Sequence, residues 1–207
     1  CSEDLLRPAR SGAEHSEATE VRIGRGRIAR QRVYDDIAGV KGLTFTDDLA
    51  TALDGAEFVV ETVPERKDIK QQVYQQIEAL VGDDVVIASN TSGIPISDIA
   101  SVTKQPGRVV GMHWSNPPHL IPVIEVIRGA QTSDETANAT VAMVEAIGMV
   151  PAIVDKDIAG FVENRILYAI MREALHLLDE GVASAEAIDT ITKWGIGYKL
   201  AVIGPLE

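Results

Sequence analysis

An α/β fold, a mostly parallel sheet covered on both faces and followed by an all-helical segment, is what this sequence predicts. Two observations carry it. From residue 43 to about residue 154, short apolar runs alternate with amphipathic stretches, and strands that alternate with helices form a parallel sheet covered on both faces. The alternation stops at "DKDIAG" (155–160), after which two helical stretches follow with no strand between them.

In chain order, residues 1 to about 20 are polar and patternless and read as an unpacked arm. "GRIARQRVYDDIAGV" (26–40) is expected to be helical, with Ile28, Val33 and Ile37 roughly on one face. "LTFT" (43–46) is a short strand, "DDLATALDG" a short helix ending at Gly55, and "EFVVETV" (57–63) a buried strand. "RKDIKQQVYQQIEALVG" (66–82) has Ile69, Val73, Ile77 and Leu80 at helical spacing and Gly82 as its stop. "DVVIASN" (84–90) and "RVVGMHW" (108–114) are strands separated by the helical turn "ISDIASV". "PVIEVIRG" (122–129) and "VPAIV" (150–154) are strand-like. Between them lies a helix opened by Ser133 and closed by Gly148. "FVENRILYAIMREALHLLDEG" and "SAEAIDTITKW" are the two final helices.

Bulk properties narrow the function. The 207 residues carry a formal net charge of −12, and only 4% are aromatic. That excludes a general nucleic-acid binder and a stacking platform for single strands. No apolar run reaches the roughly 18–20 residues of a membrane span, and no signal peptide is recognisable. The single cysteine, Cys1, allows no intrachain disulfide. The expected setting is cytoplasmic, with a small-molecule substrate and neither nucleic acid nor membrane as partner.

In open parallel sheets, sites form beyond the carboxyl ends of the strands. Three strand ends here are unusually polar: Glu61, Thr62 and Glu65; "SNTSG" (89–93); and His113 with Asn116. They would converge on one crevice. His113 and Glu125 suit acid–base work, because the carboxylate fixes the imidazole tautomer and stabilises the imidazolium. A plainer reading stands beside it, a strand-end histidine and a solvated edge carboxylate. Asn90 and Ser92 could likewise bond only their own turn. No metal-ligand spacing and no nucleophile elbow are visible, and the expected metal is none. "GRGRIA" (24–29) fits a dinucleotide fingerprint, but the upstream "TEVRI" is short and charged, so it reads as a decoy.

"FTDDLATALDGAEFVVETVPE", "ASNTSGIPISDIA", "VGMHWSNPPHLIPVIEVIRG" and "KDIAGFVENRILYAIMREALHLLDEGV" resemble, in order and spacing, the 3-hydroxyacyl-CoA dehydrogenase family. The resemblance spans about 43 to 207. It implies an NAD-binding Rossmann-type domain over 43–156, preceded by residues 1–42 and followed over 157–207 by the beginning of a helical domain that dimerises. It further implies NAD as cofactor and His113 as the base that takes the proton of a 3-hydroxyl, with Glu125 as its partner. By the same resemblance Ser92 bonds the reacting oxygen and Asn164 completes the site. Glu65, Lys70, Asn90, Ser92 and Asn116 match positions on the NAD side of the cleft.

The departures matter too. No glycine-rich first unit is recognisable before residue 43, and only two helices of the helical domain are present, so a piece of a longer enzyme is expected. Gly93 stands where many acyl-CoA members have serine, Trp114 and Ser115 replace an aromatic pair, and Ala159 replaces a proline. "HWSNPPHLIP" and "WGIGYKLAVIGP" resemble a branch acting on 5-formyl-3-hydroxy-2-methylpyridine-4-carboxylate. Two enzymatic expectations follow: a 3-hydroxyacyl-CoA dehydrogenase of fatty acid metabolism, or a dehydrogenase of such a small acid. The rival from another class is a truncated, non-catalytic remnant that serves as an interaction module.

Overall fold

The structure, a computed structural model, describes residues 46–207 and one short strand pair before them. That pair, β1 (Arg22–Ile23) and β2 (Gly26–Arg27), is antiparallel, with Ile23 opposite Gly26. The expected helix over 26–40 is therefore corrected at its first two residues, which are strand. A fingerprint glycine would turn the chain into a helix, whereas Gly26 sits in this ladder. The rest of that helix, the polar arm and all but the last residue of the strand at 43–46 lie outside the described residues.

The main sheet has five strands in the order β3–β4–β5–β6–β7. Strands β3 (Phe58–Glu61), β4 (Val86–Ser89) and β5 (Val109–Trp114) are parallel. Strand β6 (Val123–Ile127) returns antiparallel to β5, and β7 (Val150–Val154) runs parallel to β6. The reversal follows from the link between β5 and β6. Residues 115–122 are too few for the helical crossover that parallel neighbours require. Among the described residues β3 is an edge strand, and Val60 is 42% exposed, so the expectation of a fully buried strand there is corrected.

Side chains alternate across the sheet with the period of two that pleating imposes. Val86, Ala88, Val110, Met112, Ile124 and Val126 pack on one face, with Val144 of α4 (Asp134–Ala146). Ile87, Val109 and Ile127 point to the other, against Tyr74 and Ile77 of α2 (Lys67–Glu78) and Ile96 and Ile99 of α3 (Ile96–Ala100). His113, Gly111 and Val109 share parity, so the histidine projects on the α2–α3 side. Gly111 has to be glycine: a Cβ there would lie 2.8 Å from Ile127 Cβ and 2.9 Å from Ile96 Cδ1. Helix α3 thus rests on bare backbone two residues before His113.

The short helix α1 (Leu49–Leu53) is opened by Asp48, whose Oδ2 accepts the Thr51 N–H at 2.8 Å. Ser133 Oγ accepts the Thr136 N–H at 3.1 Å at the start of α4. Both are the side-chain caps expected at a helix start. Helix α2 ends at Glu78, short of Leu80, which is 47% exposed. Its inward face is Lys70, Tyr74 and Ile77. The apolar-only reading missed Lys70 because its charge is compensated internally.

Beyond the sheet, α5 (Glu163–Asp179) and α6 (Ala185–Ile191) form as expected. A π-helical stretch, Thr192–Gly197, and α7 (Tyr198–Val202) follow, and neither was expected. No residue of α5 is buried, although Leu167, Met171, Leu175 and Leu178 are apolar. Among the described residues no helix is long and apolar enough to cross a membrane.

Candidate active site

The centre of the site is made by strand register. His113 of β5 and Glu125 of β6 are directly opposed in the antiparallel ladder. His113 Nδ1 lies 2.8 Å from Glu125 Oε2, and the two side chains are only 7% and 5% exposed. An ionised carboxylate can only accept, so Nδ1 carries the proton and Nε2 keeps the lone pair of the neutral ring. The Phe161 ring, fully buried, tilts against the imidazole with centroids 5.7 Å apart.

Glu125 Oε1 is also occupied. It accepts the backbone N–H groups of Val162 and Glu163, each at 3.0 Å, at the start of α5. Burial works against the charged form of Glu125. The His113 hydrogen bond and the N–H groups of Glu163 and Val162 outweigh it, holding the carboxyl below the usual range. The chain reaches this point through two left-handed residues, Gly160 (φ 78°) and Phe161 (φ 46°). The second costs about 1–2 kcal/mol for a non-glycine residue, offset by burial of its ring.

The neighbouring strand ends meet this pair. Asn90, just past β4, accepts the Trp114 N–H on Oδ1 at 3.1 Å, and its own N–H donates to Glu61 O at 2.9 Å. Glu65 gathers the following turn. Its Oε1 accepts Thr91 Oγ1 at 2.6 Å and the Ser92 and Gly93 N–H groups at 3.0 Å each. Burial raises Glu65, but Thr91, the Lys70 charge and those two N–H groups prevail and lower it. Asn164 Nδ2 donates to Ser92 O at 2.8 Å, tying α5 to the same turn.

Lys70 and Asn116 are the remaining expected residues. Lys70 is 1% exposed, and its ammonium donates to both Glu61 oxygens, at 2.8 and 3.1 Å, and to Val63 O at 3.2 Å. It lies 3.5 Å from Glu65 Oε2. It therefore stands behind the turn as its anchor. Asn116 is exposed just past the end of β5, before a cis peptide to Pro117.

Two residues at the centre were not singled out as site candidates from the sequence. Ser115, 2% exposed, donates to Glu163 Oε2, and donor atoms of His113, Glu125 and Glu163 lie within 4.8 Å of one another. Linear spacing could not show this trio, since its members come from β5, β6 and α5. His113 Nδ1, both Glu125 oxygens and Glu163 Oε2 are already engaged with one another, with Ser115 or with backbone N–H groups. The available signal was the acid beside Asn164 in "VENR". A separate cavity of about 520 Å³ runs along the outer edge of β3, lined by Leu49, Leu53, Val59, Val60, Pro64 and Val73 among others. Neither His113 nor Glu125 lines it.

Residues 2–158 match the family model of the 3-hydroxyacyl-CoA dehydrogenase NAD binding domain, and residues 160–207 that of its C-terminal domain. The chain belongs to the 3-hydroxyacyl-CoA dehydrogenase family. The match begins well before residue 43, where the resemblance first becomes legible in the residues themselves. A 5-formyl-3-hydroxy-2-methylpyridine 4-carboxylate 5-dehydrogenase of Mesorhizobium japonicum is 52% identical over 82% of this chain and 55% of its own length. A probable 3-hydroxybutyryl-CoA dehydrogenase of Deinococcus radiodurans is 42% identical over 78% and 56%. A solved 5-formyl-3-hydroxy-2-methylpyridine 4-carboxylic acid 5-dehydrogenase, described as an NAD⁺-dependent dismutase, superposes with a TM-score of 0.75 over 78% of this chain and 52% of that one. The (S)-3-hydroxybutyryl-CoA dehydrogenase of Ralstonia eutropha gives 0.67 at 42% identity, covering 72% and 52%. The chain spans about half the length of the curated relatives it matches.

The described residues fit the reacting end of a dinucleotide. Exposed hydroxyl and amide groups, from Thr62, Ser92 and Asn116, stand at the carboxyl ends of parallel strands, where open α/β sheets take their ligands. The charges beside them, on Lys70 and Glu65, are spent on internal partners.

Proposed function

We propose that the protein to which this chain belongs is an NAD-dependent dehydrogenase in which His113 is the general base and Glu125 its partner. The observation that carries this reading is the buried His113–Glu125 pair, with Nδ1 committed to the carboxylate and Nε2 without a hydrogen bond among the described residues. NAD, when bound, supplies the hydride acceptor. As the substrate carbon gives up hydrogen with its electron pair, the O–H proton passes to Nε2 and the C–O bond becomes a carbonyl. In this reading Ser92 bonds the reacting oxygen, and Asn164, which donates to the Ser92 carbonyl, completes the site. Glu65 and Lys70 support the cofactor side by fixing the Thr91–Gly93 turn, and Asn90 and Asn116 border it.

For the substrate we favour a small aldehyde or hydroxy acid of the 5-formyl-3-hydroxy-2-methylpyridine-4-carboxylate kind. The 52% identity to the Mesorhizobium enzyme supports it. A hydrated aldehyde presents the same H–C–O–H unit as an alcohol, so one base serves either. A 3-hydroxyacyl-CoA, which would put the enzyme in fatty acid metabolism, is the second reading, supported by the 42% identity to the Deinococcus relative. We read the enzyme as a homodimer, on the strength of the apolar side of α5 that the described residues leave exposed.

The test is NAD reduction by the full-length protein with each substrate class. Turnover of the pyridine acid, lost in His113→Gln with folding intact, is expected. An unchanged rate in that variant would overturn the role of His113. Failure of NADH to bind the full-length protein would favour the non-catalytic module.

A further inference from the structure

Glu163 is the one acid at this centre to which the proposed reaction assigns no part. Its Oε2 accepts from the buried Ser115 hydroxyl, and its carboxylate approaches the His113–Glu125 pair within 4.8 Å. The plain explanation is that an acid in the first turn of α5 complements the helix dipole. That accounts for a carboxylate at this position but not for its direction. A side chain serving only the helix would be free to lie in solvent. Instead the hydroxyl of Ser115, itself 2% exposed, fixes it toward the imidazole.

Two carboxylates this close, both partly removed from water, repel each other unless positive charge comes between them. Among the described groups facing His113, Glu125 comes from β6, and Glu163 and the neutral Phe161 ring come from the α5 side. Strand β4 offers the neutral Asn90, bonded to the next backbone N–H. The buried Lys70 ammonium is bonded to Glu61 and Val63. Among the described residues, the group within reach of both acids that can become positive is His113, once it has taken a proton.

We infer that Glu163, oriented by Ser115, is a second acidic positioning residue of the reaction centre, which joins Glu125 in stabilising the His113 imidazolium that proton transfer creates. The inference rests on the proposed role of His113, but its test needs no turnover. The proton moves from the substrate oxygen to Nε2, and Glu163 takes no part in the transfer. Its contribution is through space, from a fixed carboxylate, so the charge matters and the particular side chain matters less.

The experiment is a ¹³C/¹⁵N-histidine NMR titration of this chain, with the His113 ring signal assigned by its loss in His113→Gln. Glu163→Gln removes the charge at almost constant shape, and the pH at which the His113 ring protonates is expected to fall by about one unit. Glu163→Asp keeps the charge and is expected to retain most of the wild-type behaviour. Ser115→Ala, which frees the carboxylate, should fall between the two. An unchanged midpoint in Glu163→Gln overturns the inference. So does an equal fall in Glu163→Gln and Glu163→Asp, because that would report loss of local structure and not of charge. A full-length enzyme found inactive on every substrate, with the midpoint still shifted in Glu163→Gln, would sink the proposed function and with it the part of Glu163 in the reaction, leaving only its electrostatic coupling to His113.

Discussion

Glu125 stands directly across the β5–β6 ladder from His113, with Oε2 at 2.8 Å from Nδ1, while its other oxygen accepts two N–H groups at the head of α5. One carboxylate therefore fixes the imidazole tautomer and docks the helical segment. Glu125→Gln separates these tasks. Its amide oxygen can still accept from Val162 and Glu163, which turns the NH₂ group toward Nδ1. Nδ1 must then accept, and the proton moves to Nε2, where the base is needed. Turnover by the full-length protein should drop by about 10³–10⁴-fold, with the melting temperature little changed. Equal losses of activity and stability would mean that docking, and not tautomer control, dominates.

Acid stability follows from the same carboxylates. Glu125 and Glu65 are both held below the usual glutamate value of about 4.3. Below that value the unfolded chain binds protons that the folded chain refuses, so stability rises with pH across the window. The contribution is complete above the ordinary value and is lost as pH falls through the depressed one. Urea unfolding from pH 6 down to pH 3 should show the loss steepening below about pH 4.3. In Glu65→Gln the slope over that window should be shallower.

The buried ion pair makes a sharper stability prediction. Lys70 and Glu61 side chains are 1% and 0% exposed, and Glu61 also accepts from Ser89 Oγ at 2.7 Å and the Val63 N–H at 2.6 Å. Replacing Lys70 by methionine removes the only cation bonded to Glu61 among the described residues. An uncompensated buried charge costs about 3–5 kcal/mol. Lys70→Met should be strongly destabilised in urea melts, and the double variant with Glu61→Gln should recover much of the loss. A double variant no better than the single would mean that packing of the lysine stem, not charge pairing, holds α2 against β3.

Much of this was legible in the residues, for physical reasons that differ by element. Strands β4 to β7 were readable because their apolar runs are too short for core helices and alternate with amphipathic or helical stretches over most of their length. The His113–Glu125 partnership was a candidate on chemistry alone, and the short link 115–122 made it a cross-strand pair. The burial of Lys70 was not legible in its helix, because a charged residue inside an amphipathic helix is normally solvated, and only Glu61 on the neighbouring strand reverses that. Glu163 and Ser115 were invisible as a contact, being 48 positions apart and joined only by how α5 docks. The π-helical stretch at 192–197 follows no periodicity that distinguishes it from an α-helix.

The helical segment carries the last expectation. Along α5, Leu167 is 47% exposed, Met171 46%, Leu175 64% and Leu178 42%, and Tyr168 stands beside them at 56%. Their three- and four-residue spacing puts them on one stripe, and contiguous apolar patches of this kind mark interaction surfaces. Water is a poor neighbour for such a stripe, so the chain should self-associate as its concentration rises. Sedimentation velocity over a hundredfold concentration range should show the average mass increasing. Leu175→Lys, in the middle of the stripe and away from His113, should suppress the increase while leaving the melting temperature of the sheet domain in place. A clean monomer at the highest concentration would count against an association face on α5.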